Sequence, residues 1–165
     1  VMKTCFKVFL GLMISFFSTT LSAQQMDMML YERDVNGVRI GTRLTRDRVV
    51  AEFGEPTRYE EQDSGDNGIN RWYYYGDTYI HTKDHIFDEF AVCDASFAVF
   101  TLQIHGGLTI GDPLSKLDNF IYGKPEFVKT VDDTFRYRLF DGSDNPVHLY
   151  VKDGIIVDIT YHDPI

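Results

Sequence analysis

The same short stretch is written twice in this chain, once in each half. The first copy runs Ile40-Gly41-Thr42-Arg43-Leu44-Thr45 and then Phe53-Gly54-Glu55-Pro56. The second runs Ile110-Gly111-Asp112-Pro113-Leu114-Ser115 and then Tyr122-Gly123-Lys124-Pro125. Each copy leads into an aromatic stretch, Arg71-Trp72-Tyr73-Tyr74-Tyr75 in one and Phe135-Arg136-Tyr137-Arg138-Leu139 in the other. A repeated order of turn, short helix, Gly-x-Pro stop and sheet points to a duplicated structural unit. The expected boundaries are 36–105 for the first unit and 106–165 for the second, after an amino-terminal arm over 24–35.

Within each copy the local chemistry favours a helix on a sheet. Thr45 stands where an N-cap belongs, before Val49, Val50 and Phe53, and Gly54 and Pro56 end the helix. Ser115 is the matching cap in the second copy, with Asp118 three residues on and Leu117, Phe120 and Ile121 facing inward. Beyond the helices, Val147-Leu149-Val151 alternates with His148-Tyr150, and Ile155-Val157-Ile159-Tyr161 alternates with Ile156-Asp158-Thr160-His162. Period-2 alternation of this kind describes an antiparallel sheet covered on one face and wet on the other. In the first copy, Trp72–Tyr75, Thr78–Thr82, Ile86–Val92 and Phe97–Ile104 are the expected strands. Asn36-Gly37 and Lys152-Asp153-Gly154 are hairpin turns. The expected class is α+β, two tandem units each with a short helical segment on an antiparallel sheet, with the concave sheet face exposed.

Residues 1–23 have the composition of a secretory signal peptide. Lys3 and Lys7 give a positive start, Val8 to Phe17 is almost unbroken apolar sequence, and Leu21-Ser22-Ala23 ends in a small-x-small cleavage pattern. The run is shorter than the ~20 apolar residues a spanning helix needs. Val1 ahead of Met2 reads as a start-codon artefact. Cleavage before Gln24 leaves Cys93 as the sole thiol, so no intrachain disulfide forms. Cys5 would not serve as a lipid anchor, because it is not the first mature residue. Cys93, with no cation beside it in sequence, reads as a small apolar packer. The expected location is the periplasm or outside the cell, in a Gram-negative bacterium. The formal charge of −9 becomes −11 once Lys3 and Lys7 are removed. That balance gives no attraction to nucleic acid or to anionic lipid.

The spacing Ile-Gly-x-x-Leu-Thr/Ser, short helix, Gly-x-Pro, then Trp-x-Tyr on a strand resembles the unit of the β-lactamase inhibitory protein fold. It is similar also to the small lipoprotein of the outer-membrane β-barrel assembly complex. The resemblance covers roughly residues 38–162, in two tandem units. It implies protein–protein contact rather than catalysis, because family members of known role act by binding. This chain lacks the lipidated cysteine of the assembly lipoprotein and the disulfides of the inhibitory protein, so neither specific partner carries over.

Sequence motifs for other chemistry fall short. His81 and His85 stand at i and i+4 with Asp88 nearby, a zinc-like spacing on a helix. Their surroundings are strand-like and a third ligand is not evident, so no metal site and no cofactor is assigned. Asp63-x-Gly65-x-Asn67-Gly68 and Asp141-x-Ser143-x-Asn145 are broken calcium loops better explained as turns. Ser64, Ser96, Ser115 and Ser143 occupy no nucleophile elbow, and Glu60-Glu61 and Asp132-Asp133 lie in polar turns. No catalytic residue is assigned and the chain is read as non-enzymatic.

The remaining candidate is the wet face of the sheet. With Trp72 and Tyr74 turned inward, as the Trp-x-Tyr resemblance implies, pleating sends Tyr73 and Tyr75 outward, and Arg136, Arg138, His148 and Tyr150 follow in the second copy. Tyr and Arg are enriched where proteins bind one another. These six residues are the expected partner-binding set. The rival functions are an envelope-glycan or small-ligand binder and a histidine-dependent hydrolase.

Overall fold

Two antiparallel sheets and one α-helix are found among the described residues, 33–120, 124–139 and 146–162, of a computed structural model. The expected export signal, most of the amino-terminal arm, Ile121, Tyr122-Gly123 of the second stop and the 141–145 turn lie outside the described residues. In chain order the elements are β1 (Asp34–Val35), β2 (Val38–Arg39), α1 (Arg46–Phe53), β3 (Arg58–Asp63), β4 (Ile69–Tyr75), β5 (Thr78–Lys83) and β6 (Ile86–Val92). There follow β7 (Ala98–Val99), β8 (Leu108–Thr109), β9 (Glu126–Val131), β10 (Thr134–Leu139), β11 (Val147–Lys152) and β12 (Ile155–Tyr161).

The large sheet has the order β3-β4-β5-β6-β12-β11-β10-β9, and the small one β2-β1-β7-β8. The second half of the large sheet thus reverses the order of the first, with β6 and β12 side by side at the centre. The two Ile-Gly stretches make matching backbone bonds. Gly41 N–H donates to the Phe87 carbonyl and Leu44 N–H to that of His85. Gly111 N–H donates to Ile156 and Leu114 N–H to Gly154. All described residues fall in one compact unit, Glu32–Ile165.

The expected α+β class, with a helical segment in each of two units, is overturned: the fold is mostly β. Half of the described residues are strand and 12% are helical, and the second copy has no α-helix among its described residues. Where it was expected there is a 3₁₀ turn, Leu114–Leu117, with Pro113 rather than Ser115 in the N-cap position and Asp118 closing it. Pro113 presets an extended entry, and the inward residues Leu117 and Phe120 lie three apart, the repeat of a 3₁₀ turn. In the first copy the helix does form. Thr45 holds the N-cap position without a side-chain bond, and Gly54, at φ +87°, donates its N–H to Val50. The expected strand over Phe97–Ile104 is reduced to Ala98–Val99. Asn36 and Gly37, both at positive φ, turn β1 into β2 as their sequence suggests.

One hydrophobic core fills the space between one face of the large sheet and the small sheet with α1. From the large sheet come Tyr73, Ile80, Phe87, Phe90, Val92, Leu149, Ile156 and Ile159. The cover consists of Val35, Leu44, Val49, Val99, Phe100, Leu108 and Leu117. The cover thins towards β9 and β10, where Phe127 and Phe135 are 53% and 45% exposed. Phe135, whose alternation with the outward Arg136 and Arg138 would turn it to the covered face, therefore lies only at the rim of the core. Among the described residues, no helix is long and apolar enough to cross a membrane.

Candidate functional site

The facing of β4 is the reverse of the one expected. Tyr73 is fully buried, paired across the sheet with Tyr59 and Ile80 on the core side. Tyr75 is on the core side as well. Its ring packs on Phe97 at 5.2 Å, its hydroxyl donates to the Gly54 carbonyl at 3.1 Å, and burial pushes its pKa up to about 12. Neither residue belongs to the polar face. The outward residues are their neighbours Trp72 and Tyr74, paired with Glu60 and His81 and with Arg58 and Tyr79. A one-residue slip in register exchanges the two faces of a strand. Here Ile80 and Phe90 on one side, and Glu60, His81 and Glu89 on the other, decide the facing.

In β10 and β11 the expected residues do share the polar face. Arg136 pairs with Tyr150 and Arg138 with His148, opposite the buried Leu139, Val147, Leu149 and Val151. Arg136 Nη2 donates to His148 Nε2 at 2.9 Å, and its guanidinium lies 5.9 Å from the Tyr150 ring centre. Burial, and then the Arg136 charge, pull the His148 pKa down to about 4, so the ring is neutral and accepts that bond at neutral pH. Arg138 is ion-paired with Glu126 at 2.7 Å. Arg136 Nε is buried and has no hydrogen-bond partner.

The first half of the same face carries a line of rings. Arg58 lies over Tyr74 at 3.8 Å, Tyr74 is 6.1 Å from Tyr79, and Tyr79 is 6.2 Å from His162. The Tyr79 hydroxyl and His162 Nδ1 are hydrogen-bonded at 3.0 Å. Beside this row Trp72 stacks on His81, with centroids 4.8 Å apart.

His81 is the feature that its sequence context understates. It is 4% exposed, with Nε2 bonded to Asn70 Oδ1 at 3.2 Å. Its Nδ1 has no hydrogen-bond partner and lies 3.6 Å from Asp88 Oδ2 and 3.8 Å from Glu89 Oε2. Burial drives its pKa below the ordinary histidine value, with Glu89 opposing the shift. His85, the partner suggested by spacing, sits in the turn between β5 and β6 at φ +67° and is not part of the group. The true neighbours are adjacent in sequence, which plain alternation would send to opposite faces. A β-bulge opposite His81 and Thr82 brings both carboxylates to the imidazole.

The other candidates resolve simply. Asp63 Oδ1 accepts the Gly65 N–H, the turn chemistry expected of that stretch. Ser96 donates to Asp94, and Ser64 accepts from Asn70. Burial first, and then Asp158, push the Cys93 thiol up to about 12, which keeps it protonated and poorly nucleophilic. Compared with known proteins, the chain matches no protein-family model, no curated protein and no solved structure.

Proposed function

We propose that this chain is a non-enzymatic, exported binding module that engages a partner protein through the polar face of its large sheet. The observation that carries the reading is the row Arg58, Tyr74, Tyr79 and His162, which runs from β3 across β4 and β5 to the residue after β12 without joining the hydrophobic core. Each ring is partly covered by its neighbours and partly open. Docking therefore buries large area while freezing few rotors, the property that enriches Tyr, Trp and Arg at binding hot spots. The Arg136 guanidinium, held against His148 and Tyr150, adds a positive charge for a carboxylate on the same face. The partner that fits is a protein surface with an apolar side chain flanked by acidic groups. The resemblance to the β-lactamase inhibitory protein fold, whose members act by binding, supports the same reading. So does the export-signal composition of residues 1–23.

Photo-cross-linking tests it. A benzophenone amino acid replaces Tyr74, Tyr150 or, as a control on the covering layer, Glu52 of α1. Adducts with one protein from envelope extract at positions 74 and 150, absent at 52 and lost with Arg136→Ala, are the expected result. Adducts confined to position 52, or none at 74 and 150, would refute the binding face.

A further inference from the structure

We propose that His81, Asp88 and Glu89 form a binding site for one divalent first-row transition-metal ion of the zinc class. The three side chains offer one nitrogen and two oxygens whose ligand atoms lie within 4.8 Å of one another. Donors on a shared ion stand about 3–3.4 Å apart, since the bonds are about 2.0–2.2 Å, so side-chain movements of roughly an ångström close the set. The mixed imidazole and carboxylate donors suit zinc, cobalt or manganese, whereas calcium and magnesium take oxygen alone.

Three independent features prepare the site. The first is the direction of the imidazole. Asn70 Nδ2 donates to Ser64 Oγ, which turns Asn70 Oδ1 towards His81, so Nε2 carries the ring proton and donates it. The lone pair of Nδ1 is then aimed at two carboxylates, and a cation held between them would engage all three donors. The Asn70 bond is also the outer contact that ligating histidines ordinarily make, orienting the ring through the nitrogen that does not bind metal.

The second is the bulge, which sets two consecutive carboxylates on one ligand. The third is the comparison within the chain. β11 and β12 carry the same irregularity, between Tyr150 and Val151, and β6 and β12 have the same pattern of burial along their length. In the second half Tyr150, Val157 and Asp158 occupy the places of His81, Asp88 and Glu89. Both halves keep the backbone device, and only the first has the donors, so the fold itself does not require them. Asp88 and Glu89 are 26% and 18% exposed, so the ion's remaining positions open onto the polar face, on the side where His162 approaches Glu89 to 3.6 Å.

Trp72 makes the test direct, because the chain's only tryptophan lies on the proposed ligand. Untagged, metal-stripped protein is titrated with zinc chloride and with cobalt chloride, following tryptophan emission and heat. No partner protein is present, so the outcome is independent of the docking reading. The expected result is saturable binding of one ion per chain, with quenching by cobalt. Asp88→Asn and Glu89→Gln should each weaken binding at least tenfold, while His85→Gln leaves it unchanged. The two carboxamide variants alter partly exposed groups and keep their shape, so they remain informative if His81→Gln fails to fold. Absence of saturable binding to the wild type, or an unchanged titration in the Asp88→Asn, Glu89→Gln double variant, would overturn the site.

Discussion

Trp72 lies on His81 with ring centroids 4.8 Å apart and planes inclined by 29°, the indole covering a buried imidazole on the polar face of the sheet. That contact turns the tryptophan into a reporter. An imidazolium stacked on indole quenches it more strongly than the neutral ring does. Emission should therefore fall as pH is lowered, with a midpoint below the 6.5 of an ordinary histidine, since burial, joined by Lys83, outweighs the pull of Glu89. His81→Gln should flatten the curve. A midpoint at or above 6.5 in the wild type would show the ring to be solvated or its proton held by the carboxylates.

Tyr73, and not Trp72, is the aromatic on which the core depends. Tyr73 is sealed among Tyr59, Ile80 and the layer beneath, so Tyr73→Ala should cost about 3–5 kcal/mol in urea denaturation. Trp72→Ala, which removes a half-buried ring from the opposite face, should cost less than half as much. Equal losses would mean that the two faces of β4 are not distinguished as described.

This pair also shows where the sequence was legible. In β11 one face is Val147, Leu149 and Val151 and the other is His148 and Tyr150, so polarity alone assigns the facing, and Arg136 and Arg138 follow by pairing. In β4 the run Trp72-Tyr73-Tyr74-Tyr75 is aromatic on both faces. Its facing is decided by partners on β3 and β5 that alternation cannot weigh. The hairpin at Asn36-Gly37 was visible because its turn demands positive φ. The 3₁₀ turn at Leu114–Leu117 was not, because Ser115 and Asp118 imitate a helix start while Pro113 sets the true one. The Asp88 and Glu89 pair was hidden for a similar reason: a bulge breaks the rule by which neighbours point apart.

Asp34 ties the start of the small sheet to the turn after β7. It is fully buried, and its carboxylate accepts from the N–H groups of Gly37, Thr101 and Leu102 and from the Thr101 hydroxyl. Removing it takes the shared acceptor from several partly buried donors, so Asp34→Ala should lose roughly 2–4 kcal/mol. Thr101→Val, which deletes one hydroxyl, should lose less. Loss of under about 0.5 kcal/mol for Asp34→Ala would mean that water replaces the carboxylate freely.

His148 supplies a pH dependence whose sign follows from its environment. Its folded pKa is about 4, against 6.5 for an ordinary histidine, because burial and the Arg136 and Arg138 charges oppose protonation. Between those values the unfolded chain binds a proton that the folded chain refuses. Stability therefore declines as pH falls from 6.5 towards 4 and gains nothing further from this group above 6.5. His81, shifted in the same direction, adds to the slope. Denaturation midpoints should thus be lower at pH 5 than at pH 7.5, and His148→Gln should reduce the difference. The glutamine can still accept from Arg136 and carries no titration, so the variant separates the proton from the contact. A pH dependence identical to wild type in His148→Gln would show that the ring is protonated in the folded chain, with Arg136 turned away from it.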